Sequence, residues 1–529
     1  MPLISPVGRK SWRSRLALAV IYAVLALGGL TMVYPFLLMA ATGAKGPTDQ
    51  YDQRILPAYW SDESELFRKY VDDKYAGKTE PVGWFYGEAV ALQLLSTERP
   101  ERTPTIQPLT DEEALRFERF LLQLPLDQWE VGFQPASGRF SSKLLNRYQA
   151  YVLSLYGSVE RINEVYLEQN AVLQTVQPPR EVYRSKDWHP REDQKWKDWL
   201  AFKQSLPAEF RIPITVRSQW QEFLRAKYRN RLDQVPDDIR SGAAEFSQIA
   251  VRPSHPLYEE FLSESLPERY RADNPDLRWR QLTAESELPL AKYDAWYVQE
   301  NASALKREYT TRNYATVWDY IALHGRAVWN TILFCLLAVG TQLIVNPLAA
   351  WALSRYPMPA TGRILLFLLA TMAFPAEVTM IPSFLLLKDL GLLNTFAALV
   401  LPTAASGYSI YLLKGFFDSL PRDLFENASL EGAGEGTLLF RITLPLTKPV
   451  LAVIALTAFM GAYGAFLYAF LVAQDERMWT LMVWIYQLQS RAPMSVMMAA
   501  LTLAALPTLV VFLFAQRVIL RGIILPGEK

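Results

Sequence analysis

Glu426-Asn-Ala-Ser-Leu-Glu-Gly432, then nine residues, then Ile442-Thr-Leu-Pro445 is the stretch on which the reading of this chain turns. Pro421 to Leu430 reads as a short helix. Its first turns hold Asp423 and Glu426, where the helix dipole favours negative charge. Gly432 and Gly434 break it. A second short segment, Thr437–Leu444, is expected to stop at Pro445. Uncharged runs flank both ends, Leu390–Leu413 before and Pro449–Gln474 after. A helix–glycine–helix elbow between two such runs is suited to dock into a partner's cleft.

The flanking runs belong to a larger set. Leu16–Ala44 is uncharged and long enough, at a helical rise of ~1.5 Å per residue, to cross a hydrocarbon layer of ~30 Å. It is also longer than the ~7–15-residue core of a cleaved signal peptide. Ala327–Ser354, Ile364–Leu387 and Ala492–Gln516 complete six candidate spans, with Pro375, Pro382, Pro402 and Pro507 inside them. Arg9, Lys10, Arg13 and Arg15 precede the first span. By the positive-inside rule the N-terminus is then cytoplasmic, and six spans return the C-terminus to the same side. Arg355 and Arg363, the stretch Lys414–Lys448, and Arg517, Arg521 and Lys529 all fall on that side. The elbow is therefore expected in a cytoplasmic loop, 414–448.

The chain has 529 residues, 54 basic and 53 acidic groups, and is 51% hydrophobic. That composition excludes a disordered or fibrous chain. The near-neutral total hides a segregation. Residues 1–41 hold four basic groups and no acid, and residues 42–325 hold about 37 basic and 43 acidic groups. One cysteine, Cys335, excludes an internal disulfide. His189, His255 and His324 are scattered, which argues against a histidine metal cluster or a Ser/His/Asp arrangement. The charge balance points away from a nucleic-acid partner. No Gly-x4-Gly-Lys-Ser/Thr phosphate loop occurs, so the chain has no evident ATP cradle of its own.

The opening stretch resembles the EAA loop of the inner-membrane subunits of ABC importers. The family spacing is met at Glu426, Ala428, Gly432, Ile442, Leu444 and Pro445, with Asn427 and Glu431 as departures. Trp329-Asn-Thr331, Phe374-Pro375 through Ile381-Pro382, Leu392–Thr395, Leu413-Lys-Gly-Phe-Phe417 and the Arg521-Gly522 tail resemble the carbohydrate-type, maltose permease-like subfamily. The likeness covers roughly 10–60 and 310–529. Asn313-Tyr314 resembles the Asn-Tyr that closes the first outer loop in that subfamily, here displaced by about 250 residues.

The resemblance implies an all-α membrane protein with the six-helix type I permease fold and a mainly helical extracytoplasmic insertion between helices 1 and 2. The expected divisions are 1–44, the N-terminus and first span; 45–325, the insertion; and 326–529, the permease core. It further implies a bacterial inner-membrane permease subunit of a binding-protein-dependent importer for a sugar or oligosaccharide, with no enzyme activity of its own. The implied partners are a second permease subunit, a cytoplasmic ATPase dimer that binds the ATP and Mg, an extracytoplasmic solute-binding protein and membrane lipid. Glu426, Ala428, Gly432, Ile442, Leu444 and Pro445 would couple ATP-driven closure to the spans. Two other functions stay open on the residues alone: a non-transporting adaptor displaying the outer block, and a membrane-bound glycan-processing enzyme.

Glu377 is the one acid inside an expected span. Facing lipid, its charge would cost ~2.5–3.5 kcal/mol, so it should face a bundle or cavity. It either lines a substrate path or is locally paired and fixes packing beside Pro375. In the acidic block, Thr110-Asp-Glu-Glu113 reads as a capping box before an amphipathic helix ending at Pro125. Tyr148 to Tyr166 forms a second stripe, Ser218-Gln-Trp-Gln221 opens a third helix, and strand-like alternation is confined to Arg211–Arg217. Phe120-x3-Leu124-Pro125 echoes Phe202-x3-Leu206-Pro207, and Tyr148-Gln…Tyr156 echoes Trp220-Gln…Tyr228. About ten of the 15 tryptophans fall in this block. They either stack on sugars or fill a core, and their helical spacing favours the core.

Overall fold

The computed structural model describes residues 12–98, 104–134, 142–170, 172–323, 326–356, 358–371, 373–490 and 492–521. Arg9, Lys10, His324, Gly522 and Lys529 lie outside them. The chain is mostly helical and divides into two units, Met1–Val317 with Arg491–Thr502, and Trp318–Ser490 with Leu503–Lys529.

The first unit opens on one apolar helix, Trp12–Gly43, which runs through Pro35 with its side chains exposed for most of its length. Beyond it, helices of 4 to 17 residues surround an aromatic core. Trp129, Trp199 and Trp220 are fully enclosed, and Trp279 and Trp196 are buried, whereas Trp60 is exposed. Edge-on and tilted ring pairs, such as Phe117 with Trp279 at 5.2 Å and Tyr148 with Phe202 at 5.4 Å, knit this core.

The two echoed segments explain how the unit is organised. Helix Asp111–Gln123, with its capping box from Thr110 and Glu113, stops at Leu124-Pro125. A 3-10 turn, Leu126–Gln128, then feeds strand β1, Trp129–Val131. Helix Gln194–Gln204 stops likewise before Leu206-Pro207, and the 3-10 turn Ala208–Phe210 feeds strand β2, Arg211–Pro213. Proline cannot continue the helix in either case. The strands pair antiparallel, with Glu130 opposite Ile212. An offset of 82 residues relates Phe120 to Phe202 and Pro125 to Pro207, and it also relates Glu130 to Ile212. The copies therefore meet about a local two-fold through that residue pair. Their following helices, Lys143–Tyr156 and Val216–Lys227, are out of step because the first copy carries a longer loop.

Three local readings change. The stripe from Tyr148 to Tyr166 is two helices, Lys143–Tyr156 and Val159–Tyr166. Gly157 at φ +75° ends the first, and the Ser158 hydroxyl caps the second. The third helix starts at Val216 because Thr215, not Ser218, accepts the capping bond. That early start limits the strand to Arg211–Pro213.

In the second unit, Ala327–Arg355 forms one long apolar helix of 29 residues. The final helix, Met494–Arg521, is likewise long and apolar through Gln516 and starts in the first unit. The other expected spans are broken. Ile364–Leu387 divides into Thr361–Thr371 and Ala376–Asp389, the second starting after Pro375 in extended conformation. Leu390–Leu413 becomes Phe396–Thr403 and Gly407–Asp418, bent by 49° after Pro402. Pro449–Gln474 ends as a helix at Tyr463 and resumes as Leu467–Val472. By length and composition there are three membrane-crossing helices among the described residues, or up to five if each bent pair counts as one.

Candidate functional site

The elbow forms within the second unit. Helix Arg422–Leu430 begins after Pro421, and Glu431 closes it by donating its N–H to Asn427 O at 3.1 Å. Gly432 follows at φ +86°, and Ala433 N–H returns to Ala428 O at 3.0 Å. This is the left-handed exit that glycine makes without a steric penalty. A Cβ at Gly432 would meet nothing within 4 Å, so the backbone angle rather than crowding asks for glycine.

The second arm is longer than its spacing suggests. It starts at Glu435, passes through a π register at Leu438–Thr443 and continues across Pro445 to Leu446. The widened register precedes Pro445, whose ring would otherwise clash with the carbonyl four residues back. The chain then turns by 80° at Thr447 into helix Lys448–Tyr463. Thr447 and Thr443 are fully buried, and Thr443 Oγ1 donates to Leu438 O at 2.9 Å.

The two faces of the elbow differ. Phe425 is buried, and Ala428, Ile442 and Leu444 pack with it on a cluster containing Trp351, Leu413, Phe416, Leu438 and Leu439. Trp351 Nε1 donates to Glu435 Oε2 at 3.1 Å, and its ring lies 5.8 Å from that of Phe425. The Arg355 guanidinium sits 3.9 Å from the Phe425 ring centroid. The last turn of helix Ala327–Arg355 thus holds the elbow from within. On the other face Glu426, Gly432 and Pro445 are exposed. Leu430, one turn beyond Glu426, is 86% exposed, and Phe440 is 63% exposed. Apolar side chains presented this way beside acidic groups form a surface to be covered.

The six coupling candidates therefore divide. Ala428, Ile442 and Leu444 set the elbow's shape, while Glu426, Gly432 and Pro445 lie on its open surface. Trp351, Arg355 and Glu435 were missed in the sequence. Trp351 lies 84 residues from Glu435 and carries no local motif, so nothing in the sequence joined them. Glu377 is placed elsewhere. It lies exposed in the first turn of helix Ala376–Asp389 and lines a cleft of about 690 Å³ with Gln342, Thr403, Ser409, Thr457 and Tyr468.

A family model described as binding-protein-dependent transport system inner membrane component matches residues 346–525. Protein LplC of Bacillus subtilis is 30% identical over 220 residues, 39% of this chain and 74% of its own. The maltodextrin transport system permease protein MalD of Streptococcus pneumoniae is 30% identical over 212 residues, 39% of this chain and 76% of its own. The diacetylchitobiose uptake system permease protein NgcG of Streptomyces coelicolor is 28% identical over 211 residues, 39% of this chain and 70% of its own.

Proposed function

Because the chain belongs to the family of binding-protein-dependent transport system inner-membrane components, we propose that it carries an oligosaccharide across the bacterial inner membrane, driven by separate ATPase subunits that grip the elbow. The chain is a non-enzymatic permease subunit, which leaves no support for the adaptor and glycan-processing readings. The carbohydrate reading rests on the relatives, two of which are named for maltodextrin and diacetylchitobiose.

One observation carries the coupling role. Leu430 is open to solvent on the same outward face as Glu426, while the inward face is fixed by Phe425 and Trp351. Such an elbow passes force from a docked partner to helix Lys448–Tyr463 rather than yielding to it. In this reading each broken helix pair crosses the membrane once, giving six crossings with both termini cytoplasmic. Residues 45–325 then lie outside, facing a solute-binding protein. A second permease subunit completes the path, and membrane lipid covers Trp12–Gly43. ATP and Mg belong to the ATPase dimer. Glu377 accepts hydrogen bonds from sugar hydroxyls on the way through.

The experiment is reconstitution with the partner permease, ATPase and binding protein in proteoliposomes. Uptake of the binding protein's oligosaccharide, dependent on ATP and on this chain, is expected. Assembly without ATP-dependent uptake of any saccharide would overturn the carbohydrate reading.

A further inference from the structure

The first unit holds a second cavity, of about 490 Å³, that the transport reading does not use. Its size falls in the range of small-molecule sites. Its walls come from segments far apart in sequence: Trp84 to Gly87, Thr215 and Arg217, Glu245 to Gln248, Asp276, and Ser286 to Leu288.

Packing holds the polar groups of this wall in place. The Glu245 carboxylate accepts from the backbone N–H of Glu88 at 2.7 Å and of Ala89 at 3.1 Å, and from Ser247 Oγ at 2.9 Å. Gly87, at φ +91°, lets the chain pass close by, with its Cβ position 3.5 Å from Glu245 Oε2. Asp276 Oδ2 accepts from Val216 N–H at 2.6 Å, at the start of helix Val216–Lys227. Arg217 Nη2 donates to Ser247 O at 3.1 Å, and Nη1 is paired with Glu287. The Arg184 guanidinium covers the Trp84 ring at 3.8 Å and fixes it. Two enclosed donors of the wall residues, Trp84 Nε1 and Arg217 Nε, have no protein partner. Leaving such donors unmade costs free energy that a bound acceptor recovers.

The chemistry narrows the ligand. Three carboxylates, Glu245, Asp276 and Glu287, against one arginine disfavour an anion. Among the described residues no group of three or more His, Cys, Asp or Glu side chains could hold a metal ion. What remains is a neutral molecule that donates to carboxylates and accepts from an indole and a guanidinium N–H. A sugar does both through its hydroxyls.

We propose that this cavity is a saccharide-binding site, built for one or two neutral sugar rings and separate from the cleft that Glu377 lines. Its ligand class leans on the sugar-import reading, while its geometry does not. The inserted domain would then carry a receptor site within the permease chain itself.

The test uses the full chain, purified in detergent, and tryptophan fluorescence with calorimetry. The probes are maltotriose, N,N′-diacetylchitobiose, digalacturonate and the cationic glucosamine dimer. A neutral saccharide should bind at least tenfold more tightly than either charged probe. Asp276→Asn, Arg217→Gln and Trp84→Phe should each weaken it tenfold or more. Ser286→Trp, at an exposed rim position, should block it without touching the core. The melting temperature of each variant confirms folding. The proposal is overturned if no neutral saccharide binds, if a charged probe binds best, or if Ser286→Trp leaves binding intact. Uptake in proteoliposomes separates the two readings: uptake without binding to the purified chain removes the site alone, and site binding without uptake of any saccharide removes the transport reading alone.

Discussion

The Asn313 side-chain amide donates to the carbonyl of Gly43 at 2.9 Å and also to that of Lys45 at 3.0 Å, joining positions 270 and 268 residues apart. Next to it, Tyr314 Oη donates to Ala40 O at 2.5 Å. These bonds satisfy carbonyls at the end of helix Trp12–Gly43 that have no partner within it. The return of the chain after a long excursion is thus pinned to the place it left. Asn313→Ala should destabilise the protein by about 1–3 kcal/mol, the usual range for stranding buried acceptors. Gly43→Ala should cost more, since its Cβ would come within 2.6 Å of Tyr314 Oη and 3.0 Å of Ala499 Cα. Thermal unfolding of the detergent-purified chain measures both, and Tyr314→Phe should relieve part of the Gly43→Ala loss.

Lys74 and Asp294 form a fully buried ion pair at 2.5 Å, with Tyr86 Oη and Tyr75 Oη also donating to the carboxylate. Burial pushes the Asp294 carboxyl above its ordinary range, and Lys74 opposes the shift. Removing the cation strands the charge. Lys74→Met should cost about 3–5 kcal/mol. Adding Asp294→Asn should recover more than half, because the amide oxygen still accepts from the tyrosines without carrying charge. Denaturant midpoints of the single and double variants check this, and no recovery would contradict it.

Asp276 gives a pH signature. Burial raises its carboxyl from 3.8 to about 6, although the Val216 N–H opposes the shift. A folded value above the unfolded one means the group's stabilising contribution is complete below about pH 4. It is lost as pH rises through about 6. Wild type should therefore gain melting temperature relative to Asp276→Asn between pH 7 and pH 4. A constant difference would show that Asp276 is not buried as described.

The brace behind the elbow yields a separation of effects. Phe425→Ala removes a buried ring packed between Trp351 and Arg355, at a cost of about 3–5 kcal/mol. Glu435→Ala removes only the Trp351 hydrogen bond, about 1 kcal/mol. Both should lower transport-coupled ATP hydrolysis by loosening the elbow, with Phe425→Ala also lowering the melting temperature by several degrees.

Much of this was legible in the sequence where the signal is local. The capping box at Thr110 and Glu113, the helix start at Pro421 and the glycine break at Gly432 each sit within a few residues of what they determine. The echo of Phe120 and Phe202 was visible, but the pairing of Glu130 with Ile212 was not, since strands of three residues carry too little alternation to read. The broken helices were missed because apolar composition persists through Pro375, Pro402 and Gly464, and the breaks are backbone events rather than changes in hydropathy. The brace of Trp351 and the cavity around Asp276 depend on contacts between distant segments, which a single sequence does not encode locally.

The central claim is that the outward face of the elbow receives force from an ATPase partner. Its most direct measurement is substrate-stimulated ATP hydrolysis and uptake in proteoliposomes containing the assembled complex, for wild type, Glu426→Ala and Gly432→Ala. Glu426 is exposed, so its loss should leave melting temperature and assembly unchanged while stimulated hydrolysis and uptake fall at least tenfold. Gly432→Ala adds about 1–2 kcal/mol of left-handed strain and should give a smaller loss of the same kind. Full stimulated hydrolysis and uptake with Glu426→Ala would contradict the claim.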